Sequence, residues 1–153
     1  MRRLSDVWGL ARILWIVVWL SLVVVSCQVS DDRGEEVGTW VLESISVGDE
    51  QLDVAGLSTS SMPGIAFWIR FDSNGVVTGE GSCNEFRGSF KREEGRLRVR
   101  DVMASAVACE TDQKVEEAVL GLLWDDSLAL VFLDGSERMQ LSDATSVATF
   151  VNR

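Results

Sequence analysis

Histidine and tyrosine are absent from this sequence, and proline occurs once, at Pro63. Without histidine the chain lacks the side chain most used for general acid–base catalysis and for transition-metal ligation. A catalytic serine would have no imidazole partner, and neither a Gly-x-Ser-x-Gly elbow nor a phosphate-cradling glycine loop is present. These gaps argue against an enzyme, and no metal or cofactor is expected. Positive charge is scarce as well: 14 Lys and Arg stand against 24 Asp and Glu, a formal net charge of -10. Such a surface repels phosphate backbones and anionic headgroups, so no nucleic-acid partner is expected. At 153 residues the chain holds one ordinary domain and a leader, and is too short for two cores.

What is present begins with that leader. Arg2, Arg3 and Arg12 form a basic segment, Ile13 to Val25 is an uncharged apolar run, and Val24-Val25-Ser26-Cys27 ends it. A run of this length suits a signal peptide and falls short of the ~18 residues of a stable membrane span. Ser26 directly before Cys27 is similar to the lipobox of bacterial lipoproteins, whose cysteine is acylated before the leader is cut. Lipidation at Cys27 is the favoured reading; a plain cleaved signal and an uncleaved anchor are the alternatives. In each case the basic residues precede the apolar run and acids follow it, which places the domain outside the cytoplasm. Gln28 to Glu36 is polar and acidic and reads as a solvated tether reaching at most ~30 Å. The domain then lies close to its bilayer, with like charge helping to hold it off the surface.

Period-two patterning dominates the remainder. Trp40 and Leu42, then Ile45 and Val47, alternate with a parity change around Glu43-Ser44, a strand with a bulge and with Trp40 in the core. Gly48 to Gly64 reads as a long loop. Ile65 to Asp72 is the clearest strand: Ile65, Phe67, Ile69 and Phe71 share one face, Ala66, Trp68 and Arg70 the other. Ser73-Asn74-Gly75 turns it back into Val76, and Glu93-Glu94-Gly95 makes a second hairpin into Leu97. Arg98 and Arg100 alternate with Leu97 and Val99, so one face of that strand is wet. Thr111 is placed to cap a helix running to about Leu123, with Val115, Ala118, Val119, Leu122 and Leu123 as its apolar stripe and Glu116 and Glu117 outward. Ser127 to Leu133 and Arg138 to Leu141 form a final hairpin, and Ser146 to Val151 is apolar enough for an edge strand.

An exported chain meets an oxidising environment, and a lipidated Cys27 leaves Cys83 and Cys109 as an even pair. A structural disulfide closing that loop stabilises the fold by roughly 3 to 4 kcal/mol. The rival is a redox-active pair, which favours Cys-x-x-Cys spacing and a nearby cation, whereas Glu85 and Glu110 adjoin these two. Asn84, in a glycine-rich turn, reads as satisfying neighbouring backbone groups. Glu80, Glu85, Glu110 and Asp112 read as a solvated acidic rim, since no calcium-loop spacing is present. Trp68, opposite the Phe stripe, is the candidate binding surface.

Gly38-Thr39-Trp40-Val41-Leu42, Cys83-Asn84-Glu85-Phe86-Arg87-Gly88-Ser89-Phe90 and Ala108-Cys109, in that order and spacing, resemble the META domain of HslJ-type heat-inducible bacterial lipoproteins. Ser82 stands where that family usually has glycine, and Ser105 and Val107 stand for its threonine and methionine. The resemblance marks Trp40, Asn84 and Gly88 as structural motif residues. It implies a role in envelope stress or drug tolerance, with no established chemistry.

The fold class expected is α+β: a curved antiparallel β-sheet, open or barrel-like, with one principal α-helix packed on it. The expected organisation is a lipoprotein signal peptide at 1–26, an acidic tether at 27–36, a META-like domain at 37–142 and a tail at 143–153. The expected function is that of a non-enzymatic, membrane-anchored interaction module of the envelope, acting on an unknown protein partner. The alternative is a small-ligand or inhibitor-binding module built on the Gly48 to Gly64 loop and the face carrying Trp68.

Overall fold

Alternation of apolar and polar residues, interrupted by turn chemistry, builds a sheet that returns to its own first strand. The computed structural model describes residues 34–107, 113–125 and 127–153. Its strands are β1 (Gly38–Val47), β2 (Glu50–Leu52), β3 (Trp68–Phe71), β4 (Val76–Glu80), β5 (Glu85–Glu93), β6 (Arg96–Ala104), β7 (Leu128–Leu133), β8 (Arg138–Ser142) and β9 (Ser146–Asn152). Among the described residues one α-helix, α1 (Lys114–Leu123), stands between β6 and β7. Every pairing is antiparallel, in the order β2-β1-β3-β4-β5-β6-β7-β8-β9, and β9 also pairs with β1. Eight strands therefore close into a barrel, and β2 is an extra strand on β1.

The tail is not an edge strand. β9 pairs with β8 on one side and with β1 on the other, so it closes the barrel and leaves no free edge there. Closure relies on the bulge in β1: Leu42 opposes Phe150 and Ser44 opposes Thr149. That extra residue lets both Leu42 and Ile45 face inward.

The turns follow their residues. Gly75 has φ +81° and donates its N–H to Asp72 O at 3.0 Å, so the β3–β4 turn carries one left-handed residue, a glycine. The β5–β6 turn has positive φ at both Glu94 and Gly95, which matches the right-handed twist of the paired strands. The segment from Ile65 is a strand only from Trp68; before it, Thr59 N–H donates to Ile65 O and Ile65 N–H to Met62 O, which holds this stretch in the loop. Part of the expected Gly48–Gly64 loop is β2.

A barrel of eight strands is wide enough to be filled by side chains or to hold one small ligand. Here Trp40, Phe67, Phe71, Phe150, Met139 and Leu141 occupy the inside, each with no exposed surface. Phe67 and Phe86 stack at 5.4 Å, and Phe71 meets Phe90 edge-on at 4.8 Å. The α1 stripe Val115, Val119, Leu122 and Leu123 joins the same core, and the helix lies against β1 and β9. Its first described residue is Lys114, with Gln113 at the N-cap and no side-chain cap bond. Thr111, the expected cap, lies outside the described residues.

Candidate functional site

Two buried carboxylates organise the surroundings of the Cys-Asn turn. The first is Glu116, expected to point outward and instead buried. Its Oε2 accepts the backbone N–H groups of Cys83 at 2.8 Å and Asn84 at 3.1 Å, and its Oε1 accepts Asn84 Nδ2 at 2.6 Å. Three donors satisfy a charge that burial alone would penalise. Asn84 uses its other end as well: Oδ1 accepts Val107 N–H at 2.8 Å and the Ser105 hydroxyl at 3.1 Å. Helix, turn and the exit of β6 are thereby joined through one side-chain pair. A Cβ at Gly81 would overlap the Glu116 carboxylate, so the turn needs glycine there. The sequence held one signal of this burial: Leu120, also buried, lies four residues after Glu116 and widens the stripe over it.

The second is Glu80, expected on a solvated rim and also buried. It accepts Ser60 N–H at 2.7 Å, Ser61 N–H at 3.3 Å, Trp68 Nε1–H at 3.2 Å and the Ser61 hydroxyl. Burial opposes its ionisation, but the Ser61 hydroxyl, the Ser60 amide, the Trp68 indole and the Ser61 amide together outweigh it. They hold the carboxyl below its ordinary range. Glu80 thus staples the loop before β3 to the outer wall of the barrel and fixes the Trp68 ring.

Beside that staple the wall is concave. A cavity of about 570 Å³, open to solvent, is lined by Ser61, Trp68, Glu80, Phe86, Arg87 and Met103 among others. Met103 is 72% exposed at its edge. The cavity unites the Trp68 face with Ser61 of the long loop, the two features singled out in the sequence. Among the described residues no three metal-ligating side chains converge.

Two further motif residues have local duties. Trp40 is fully buried and donates its indole N–H to Glu36 O at 2.7 Å. Glu36 is itself buried, with Oε2 3.4 Å from Arg92 Nη1, so the chain is already part of the fold at this point. Gly88 sits where Arg87 opposes Met103 but Ser89 opposes Arg100, and a Cβ there would lie 2.9 Å from Arg100 O. Only glycine admits that approach of β6 to β5.

The sequence profile of the META domain matches residues 35–153. This chain belongs to the META domain family. The matched range takes in the closing strand β9, so the META domain here is the whole barrel. Among solved structures, the fold is similar to a solution structure of a protein from Burkholderia xenovorans, with 22% identity, TM-score 0.60, and coverage of 76% of this chain and 81% of that one. A second solution structure shares 20% identity at TM-score 0.55, covering 77% and 92%. A crystal structure of a lipocalin-like protein from Bacteroides uniformis shares 12% identity at TM-score 0.47, covering 78% and 100%. No curated protein matches the chain. Of the cysteines, Cys83 is in the turn above Glu116, whereas Cys27 and Cys109, with Glu110 and Asp112, lie outside the described residues.

Proposed function

We propose that this META-domain protein is a non-enzymatic, membrane-anchored extracytoplasmic module that recognises another molecule of the envelope through the outer wall of its barrel. The observation that carries this reading is the contrast between an interior occupied by large side chains and an outer groove edged by Trp68 and the 72% exposed Met103. Exposed apolar groups beside a concavity mark recognition surfaces. The anchor rests on the lipobox-like Val24-Val25-Ser26-Cys27, and the role in stress or drug tolerance rests on the likeness to HslJ-type lipoproteins. The non-enzymatic reading rests on the absence of histidine and on the engagement of Glu80 and Glu116 with backbone and side-chain donors. The extracytoplasmic address is supported by a disulfide at Cys83, for which the sequence offers Cys109 as the partner. Cys83 is disulfide-bonded, and its sulfur lies 3.6 Å from Val107 O and 3.4 Å from Gln113 Nε2. Those two residues bracket the segment holding Cys109.

A photo-crosslinking residue placed at position 103 in cells is expected to give an adduct, and the same residue at position 147, on β9, is not. Equal yields at both positions, or none at 103, would overturn the assignment. A second reading, a small ligand in the groove, is favoured by the 570 Å³ volume that Ser61 and Trp68 share. The mass of the adduct separates the two, since a protein partner adds kilodaltons and a small ligand does not.

A further inference from the structure

The scarce cations of this chain are concentrated on one hairpin. Arg2, Arg3, Arg12 and Arg33 precede the barrel, which leaves ten Lys and Arg, and six of those fall within residues 87–100. Lys91 directly opposes Arg98, Ser89 opposes Arg100 and Glu93 opposes Arg96. Side chains two apart on a strand are ~7 Å apart and directly opposed ones ~5 Å apart, so these cations form a dense row on one face of the hairpin. Like charges facing each other across a strand pair weaken it. One carboxylate, Glu93, serves both Lys91 at 2.6 Å and Arg98 at 3.3 Å. Arg96 turns to Ser127, donating to its hydroxyl at 2.5 Å and its carbonyl at 2.6 Å, and these neutral partners leave its charge uncancelled. Arg100 has no ion pair among the described residues. Glu94, in the turn, and Asp101, which accepts the Ser89 hydroxyl at 3.3 Å, border the row. A depression of about 290 Å³ is lined by Ser89, Phe90, Lys91, Glu93, Arg98 and Arg100.

The chain enters the barrel at the other face of the same hairpin, where Arg92 opposes buried Leu97. Arg92, next to Lys91, holds Glu36 at 3.4 Å, and the residues from Cys27 to that point reach at most ~30 Å. We propose that Lys91, Arg96, Arg98 and Arg100 dock the barrel on the anionic phospholipid headgroups of the membrane that anchors it. The inference rests on the anchored reading above. A clustered row of cations complements an array of phosphates, and a short tether supplies the effective concentration that a modest row needs. The acidic remainder of the surface is repelled by the same membrane, so the charge pattern selects one orientation.

The chain contains only two lysines, Lys91 and Lys114, and the second is on α1. Their acetylation rates in the full chain, read by mass spectrometry, therefore report docking against an internal reference. On vesicles rich in phosphatidylglycerol, acetylation of Lys91 is expected to slow about fivefold relative to Lys114 when compared with phosphatidylcholine vesicles. The protection should vanish in high salt and in the triple variant Arg96→Gln, Arg98→Gln, Arg100→Gln. An unchanged Lys91 to Lys114 ratio would overturn docking, and so would equal protection by heparin or inorganic phosphate without vesicles. Flotation with phosphatidylcholine vesicles tests the anchor separately: a chain that fails to float yet shows Lys91 protection on added anionic vesicles refutes the anchor and supports docking.

Discussion

The two faces of β3 to β6 obey different rules although they share one backbone. Inside, Ile69, Phe71, Val77, Leu97 and Val99 are buried, and each is fixed by what its neighbours leave room for. Outside, the same strands carry Trp68, Met103 and the Lys91–Arg98 row, where packing demands little and like charges stand opposed. Inner positions answer to folding, and the outer ones are free to answer to a partner. The difference teaches where to look for function in a barrel whose described inner positions are taken up by large side chains.

The contrast is broken most severely from within. Phe71→Ala should cost about 4 kcal/mol, because it removes a buried ring that meets Phe90 edge-on and leaves a cavity; urea unfolding measures it. Glu116→Ala should follow at about 3 kcal/mol, since Cys83 N–H, Asn84 N–H and Asn84 Nδ2 lose their acceptor in a buried place. A loss below 1 kcal/mol by the same method would mean that water replaces the carboxylate.

Acid sharpens the comparison at the boundary between the faces. The Glu80 carboxyl is held below its ordinary value of 4.5, so its contribution is full above that value and is lost as pH falls through the lower folded value. Wild type should therefore lose more stability than Glu80→Gln on acidification from pH 5 to 3, as read by unfolding midpoints at each pH. Equal slopes would show that the staple does not depend on charge. The smallest effect belongs to the outer wall: Met103→Ser should change stability by less than about 0.5 kcal/mol while lowering the yield from a crosslinker placed at position 87 of the same groove.

Much of the fold was legible because its signals are local. The alternation around Phe67, Ile69 and Phe71, the glycines at 75 and 95 and the parity change in β1 each act within a few residues. Closure was not legible, since the partner of Leu42 is Phe150, at the far end of the chain, and no short-range pattern distinguishes an edge strand from a closing one. Nor was the burial of Glu80, and that of Glu116 was signalled only by Leu120 one turn further on. A glutamate inside is paired with donors from distant segments, Ser60 and Ser61 in one case and the Cys-Asn turn in the other, and composition cannot supply the partner. Asn84 was legible as a turn residue; its reach across to Val107 and Glu116 was not.

The central claim is that recognition uses the outside of the barrel. The indole N–H groups of Trp40, inside, and Trp68, beside the groove, give one reporter on each side of the wall in the same spectrum. On adding solubilised envelope extract to the full chain with ¹⁵N-labelled tryptophan, the account predicts that the Trp68 signal shifts or broadens while the Trp40 signal stays in place. A moving Trp40 signal beside a stationary Trp68 would contradict it and return the binding site to the interior.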